Sequence, residues 1–84
     1  MIKKFIKNNY LSFEEGNRNS SIVTLIGYSL HLGLDIKTLE KELKEEISVD
    51  NFILDEINRL WGYCNFKRYG DYWKNEKAKE VFDF

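Results

Sequence analysis

The 84-residue chain has no proline and only one alanine, one methionine, one histidine and one cysteine. Its charges nearly cancel, with 13 Lys and Arg against 14 Asp and Glu. Each scarcity removes a class of answer. A single cysteine, Cys64, excludes an intramolecular disulfide framework and a multi-cysteine metal site. The net charge of −1 excludes the strongly basic profile of a dedicated nucleic-acid neutraliser and the strongly acidic profile of a whole-molecule DNA mimic. A long apolar run is also missing. The uncharged stretch Asn19 to Leu34 falls short of the roughly 20 residues a membrane span needs, and Asn, Ser, Thr, His and two Gly interrupt it. The opening Met1-Ile-Lys-Lys-Phe-Ile-Lys resembles the charged start of a signal peptide, but Asn8, Asn9, Glu14 and Glu15 stand where its apolar region would be. A free Cys64 agrees with a reducing, cytoplasmic setting. A chain this short buries roughly 60% of its unfolded surface, enough for one modest core over residues 1–84 and no second domain.

What is abundant carries a hint of origin. Lys, Asn, Ile, Phe and Tyr supply 37 residues, while Gly, Ala, Arg and Pro supply 9. The first group has AT-rich codons and the second GC-rich ones, which points to an AT-rich bacterium or one of its phages or plasmids.

Hydrophobic spacing predicts an all-α fold of four to five short helices around one core. Ser20 or Ser21 is placed to cap a buried helix on which Ile22, Leu25, Ile26, Leu30 and Leu34 recur at helical spacing, and Gly33 suits its end. Asp35 reads as the cap of a second helix with Ile36, Leu39, Leu43 and Ile47 on one face. A third helix is expected from near Ser48, through Val49, Phe52, Ile53, Ile57, Leu60 and Trp61, to Gly62. A last helical segment is expected from about Asp71 to Phe82, with Trp73 and Val81 on its inner face. The first 18 residues read as a short helix before a polar turn. Nothing repeats the period-2 alternation of a sheet.

Leu25 to Leu43 resembles a helix-turn-helix. Gly33 stands as the turn glycine, Ser29 is the small residue four places before it, and Leu32, Leu34 and Leu39 are apolar contacts; the next apolar position falls on Glu42, with Leu43 one place late. Its second helix carries Glu40, Glu42, Glu45 and Glu46 against Lys37, Lys41 and Lys44. Four glutamates among phosphates would be repelled, so this helix suits a basic protein partner better than a DNA groove.

Enzyme readings lack parts, and no catalytic residue, cofactor or metal is assigned. A Cys/His nucleophile pair would need both His31 and Cys64, each among apolar neighbours at a helix or helix end. Glu42-Leu43-Lys44 preceded by Asp35 spells the Glu-x-Lys element of some metal-dependent nucleases, but in a helical pattern where that site uses strands. The five glycines are isolated, as turn and helix-end glycines are, and form no phosphate loop.

The most unusual segment is Trp61-Gly-Tyr-Cys-Asn-Phe-Lys-Arg-Tyr-Gly-Asp-Tyr-Trp73, in which six of thirteen residues are aromatic around Lys67 and Arg68. Trp61 belongs to the core by its spacing, but so short a stretch cannot easily turn all six rings inward. Exposed Tyr, Trp and Arg dominate protein interfaces because they bury large area at low entropic cost. Tyr63, Phe66, Lys67, Arg68, Tyr69, Tyr72 and Trp73 are therefore the expected partner-binding residues, with Glu40, Glu42, Glu45 and Glu46 as a second, acidic contact face. The expectation is a small non-enzymatic protein that binds and blocks another protein by occlusion. Phage and mobile-element inhibitors of host defence, anti-CRISPR proteins among them, have this size and make-up, and a basic nucleic-acid-binding effector of the host is the expected partner. The alternative is a nucleic-acid-binding regulator that uses residues 25–43 or the basic aromatic segment.

Overall fold

The structure is a computed structural model and describes residues 2–82. Its elements follow from three local signals: apolar spacing, caps and glycines. In α1 (Ile2–Asn8), Ile2, Phe5 and Ile6 recur at i, i+3 and i+4 and are buried. Tyr10, at φ 53°, closes it with Tyr10 N–H on the Lys7 carbonyl and Leu11 N–H on the Ile6 carbonyl. That is the Schellman pattern, with tyrosine where glycine is usual. α2 (Arg18–Leu32) ends the same way at Gly33, φ 77°, as its sequence predicts.

Its start differs from expectation. Neither serine caps it, because each hydroxyl donates to a carbonyl instead of accepting from an amide: Ser20 to Asn17 and Ser21 to Ser12 at 2.6 Å. α3 (Ile36–Glu46) is capped by Asp35, whose carboxylate accepts from Thr38 N–H at 2.8 Å. α4 (Asn51–Phe66) is capped by Asp50, which accepts from Ile53 N–H at 2.9 Å, so the helix begins after Ser48. It also runs past Gly62. A glycine inside a helix costs only about 1 kcal/mol relative to alanine, and the fully buried Cys64 anchors the added turn. The expected last helix is two elements, a 3-10 helix (Tyr69–Lys74) and α5 (Glu76–Val81), broken at Asn75. Trp73 is buried as expected, whereas Val81 is exposed and Ala78 takes the inner position. No strand occurs among the described residues, and the fold is all-α.

α2 is the centre of the packing. One side meets α4, where Arg18 stacks its guanidinium 3.8 Å above the Phe52 ring and Asn19 donates to Glu56. Phe52, expected inside, is consequently left partly exposed under that cation, and Trp61 is only half-buried. Its other side meets the 3-10 helix, which runs back along it. α3 packs on α1 and α4. Three buried rings, Phe5, Tyr28 and Trp73, cluster in the core, with Phe5 stacked on Tyr28 at 4.0 Å and Trp73 edge-on to both at 5.3 Å, and the partly buried Phe82 packs against Trp73 at 4.9 Å.

Candidate binding surface

The 3-10 helix decides which aromatic side chains face solvent. At three residues per turn, side chains at i and i+3 eclipse, so this element has three faces. Gly70 and Trp73 form the buried face. Tyr69 and Tyr72 form the second, and Arg68, Asp71 and Lys74 the third. The buried face fits because two glycines allow it. A Cβ on Gly70 would stand 3.1 Å from the His31 nitrogen and from the Leu30 Cβ, and one on Gly27 would stand 3.2 Å from Trp73 Nε1. These glycines are contact points inside the fold, unlike the turn and helix-end glycines expected from their isolation in sequence.

The tyrosine face borders an apolar groove of about 240 Å³, lined by Val23, Thr24 and Gly27 of α2, Tyr69, Tyr72 and Trp73, and closed by Phe82. Tyr72 stands edge-on to Trp73 at 5.3 Å and to Phe82 at 6.4 Å, so packed rings hold the groove wall in place. Beyond the wall, Tyr63 meets Tyr69 edge-on at 6.0 Å, and Lys67 Nζ lies 5.9 Å from the Tyr63 ring centre. The hydrogen bond with Tyr63 raises the Tyr69 phenol above its usual range, with burial adding to it.

Of the residues expected to bind a partner, Phe66 is 81% exposed, Tyr63 51% and Tyr72 40%. Lys67 and Arg68 are exposed beside them, and Tyr69 is half-buried. Trp73 is 4% exposed, a core ring that reaches the groove by one edge. The end of α4 and the 3-10 helix thus bring the aromatic and basic candidates together.

The second expected face does not form as one surface. Glu42 accepts from Ile2 N–H at 3.3 Å, Glu46 pairs with Lys7 at 3.9 Å, and Glu40 accepts from Asn58 at 3.0 Å. Those three are half-buried on two flanks of α3, toward α1 and α4, and only Glu45 is exposed. The outward stripe of α3 is instead Lys37, Lys41 and Lys44, at i, i+4 and i+7. Helical spacing alone could have found this, since Leu39 and Leu43 fix the inner face and the three lysines lie opposite.

Neither enzyme-like pattern assembles a site. Cys64 is fully buried and burial pushes its thiol up, away from the thiolate a nucleophile needs. Glu42 and Lys44 leave the helix on different sides, and among the described residues no group of three His, Cys, Asp or Glu could hold a metal. Among the described residues no helix is long and apolar enough to cross a membrane. Compared with family models, with curated proteins and with solved structures, the chain matches none of them.

Proposed function

We propose that this chain is a small non-enzymatic protein that binds and blocks another protein through the end of α4 and the 3-10 helix. One observation supports the reading: Tyr72 is exposed on the wall of an apolar groove braced by core rings, and Tyr63 and Phe66 are exposed at the end of α4, where Tyr63 meets the groove residue Tyr69. Aromatic side chains on a rigid support gain contact area at little entropic cost, which is how interface hot spots work. Lys67 and Arg68 beside them favour an acidic rim on the partner. The anti-defence role, anti-CRISPR-like and directed at a host effector in the cytoplasm, rests on the AT-rich composition and the small size.

The test is capture from a host lysate with wild type, Phe66→Ala/Tyr72→Ala and Lys3→Ala/Lys4→Ala. The reading requires one stoichiometric protein partner, lost with the aromatic pair and kept with the lysine pair, while circular dichroism stays unchanged. Retention of the partner by the aromatic variant would falsify the site.

A second reading, nucleic-acid binding, is favoured by the outward Lys37, Lys41 and Lys44 stripe on a helix that follows a three-residue turn. It requires a salt-dependent mobility shift at micromolar protein that Lys37→Ala/Lys41→Ala abolishes.

A further inference from the structure

The charged face of the 3-10 helix lines a second recess of about 240 Å³, walled by Leu30 and His31 of α2, Asn65 of α4, and Arg68, Asp71 and Lys74, with Gly70 at its floor. We propose that this recess binds a single small oxyanion, a carboxylate or phosphate group, held by Arg68 and Lys74 with the Asn65 amide as a neutral donor.

Three observations lead there. Arg68 sits at φ 58° and ψ 40°, just past the end of α4, with its N–H on the Asn65 carbonyl at 3.0 Å. Helix ends ordinarily place glycine or asparagine in this conformation, as α2 does with Gly33. Tyr10 has the same backbone at the end of α1, so strain alone marks no site; Arg68 differs because it lines a recess. The second observation is how the charges are shared. Asp71 takes Arg68 through Nε at 2.9 Å and Lys74 through its other oxygen at 3.4 Å. The carboxylate therefore steadies both cations at the mouth of the recess, where the Arg68 and Lys74 side chains are 78% and 68% exposed. Arg68, Lys74 and Asp71 together leave one positive charge to balance. The third is size and rigidity. The recess falls below the roughly 300 Å³ at which pockets for drug-sized ligands begin, and its floor is Gly70 pressed on the backbone of Leu30 and His31. A one-group anion fits within it.

The oxyanion is either free in solution or carried on a protein side chain, and the inference does not rest on the groove's role. The probes are inorganic phosphate and the capped peptide acetyl-Ala-Glu-Ala-amide. Each is titrated into ¹⁵N-labelled full chain at constant ionic strength in chloride, reading the amides of Arg68, Gly70 and Asp71. Saturable shifts are expected in at least one arm, and the tighter arm identifies the source. Arg68→Gly, which suits the left-handed backbone and keeps the thermal midpoint, weakens binding at least tenfold. Lys74→Gln weakens it several-fold, and Lys79→Gln, a charge-matched change outside the recess, leaves it unaltered. Shifts that fail to saturate with either probe overturn the proposal, as does a loss in Lys79→Gln equal to that in Arg68→Gly.

Discussion

Two seams of the core are closed by different means. Between α1 and α3 the buried residues are Ile2, Ile6, Leu39 and Leu43, while Phe5 of α1 turns to the aromatic cluster, and the polar contacts Lys7–Glu46 and Ile2–Glu42 lie at the margin. Between α2 and the 3-10 helix, backbone itself comes close, at Gly27 and Gly70. Aliphatic side chains can repack around a small change of volume, whereas two backbones in contact have nothing to move. The first seam is therefore tolerant and the second is not. The candidate binding surface is built on the second.

Substitutions can break or sharpen this contrast. The largest effect is expected from Trp73→Ala, which removes the ring shared by Phe5, Tyr28, Tyr72 and Phe82. It should cost about 3–5 kcal/mol in denaturant unfolding, at the high end of core truncations. A cost under about 1 kcal/mol would mean that the seam is not what holds the 3-10 helix.

One-carbon changes come next and test the contrast directly. Gly70→Ala should cost about 1–3 kcal/mol, because the added carbon meets main chain. Ile6→Val on the other seam should cost about 0.5–1.5 kcal/mol. Gly62→Ala should have the opposite sign and stabilise by roughly 0.5–1 kcal/mol, since nothing lies within 4 Å of the new carbon and the helix continues through it. Equal costs at Gly70 and Gly62 would show that helix propensity, not close approach, governs both.

The smallest effect is electrostatic. The Thr38 amide lowers the Asp35 carboxyl, and the Arg59 side chain lowers Glu56 by hydrogen bonding. A carboxyl lowered in the folded state contributes stability that is present above its unfolded pKa, about 4. That contribution is lost as pH falls through the lower folded value. Acid titration of Asp35→Asn and Glu56→Gln should therefore give shallower stability profiles than wild type below about pH 4. Asp35 is exposed and Glu56 is half-buried beside Arg59, so the loss at pH 7 should be small in Asp35→Asn and larger in Glu56→Gln, and an unchanged stability of Glu56→Gln at every pH would refute the prediction.

The legible parts of this molecule were those decided within one helical turn. Gly33 as a stop and Asp35 as a cap are local choices, and both stand in the structure. Ser48 and Gly62 misled because each local preference is worth about 1 kcal/mol, less than burying Ile53 at one end of α4 and Cys64 at the other. The aromatic segment was recognisable as unusual, but its sorting into faces depends on a three-residue period. The run Arg68-Tyr-Gly-Asp-Tyr-Trp-Lys74 does repeat as charged, tyrosine, inward residue, a signal that a search at periods of 2 and 3.6 passes over. The acidity of α3 is hidden for a different reason: the sum of its formal charges is negative, while the fold turns Glu40, Glu42 and Glu46 toward neighbours and leaves Lys37, Lys41 and Lys44 outside.

The 3-10 helix has one more consequence. It is six residues long, about 12 Å at 2.0 Å per residue, and it is at once a wall of the apolar groove and a wall of the polar recess. Any occupant of one side that shifts or stiffens it changes the free energy of occupancy on the other, and thermodynamic linkage makes that influence equal in both directions. If both hollows take occupants, the partition that separates them also couples them.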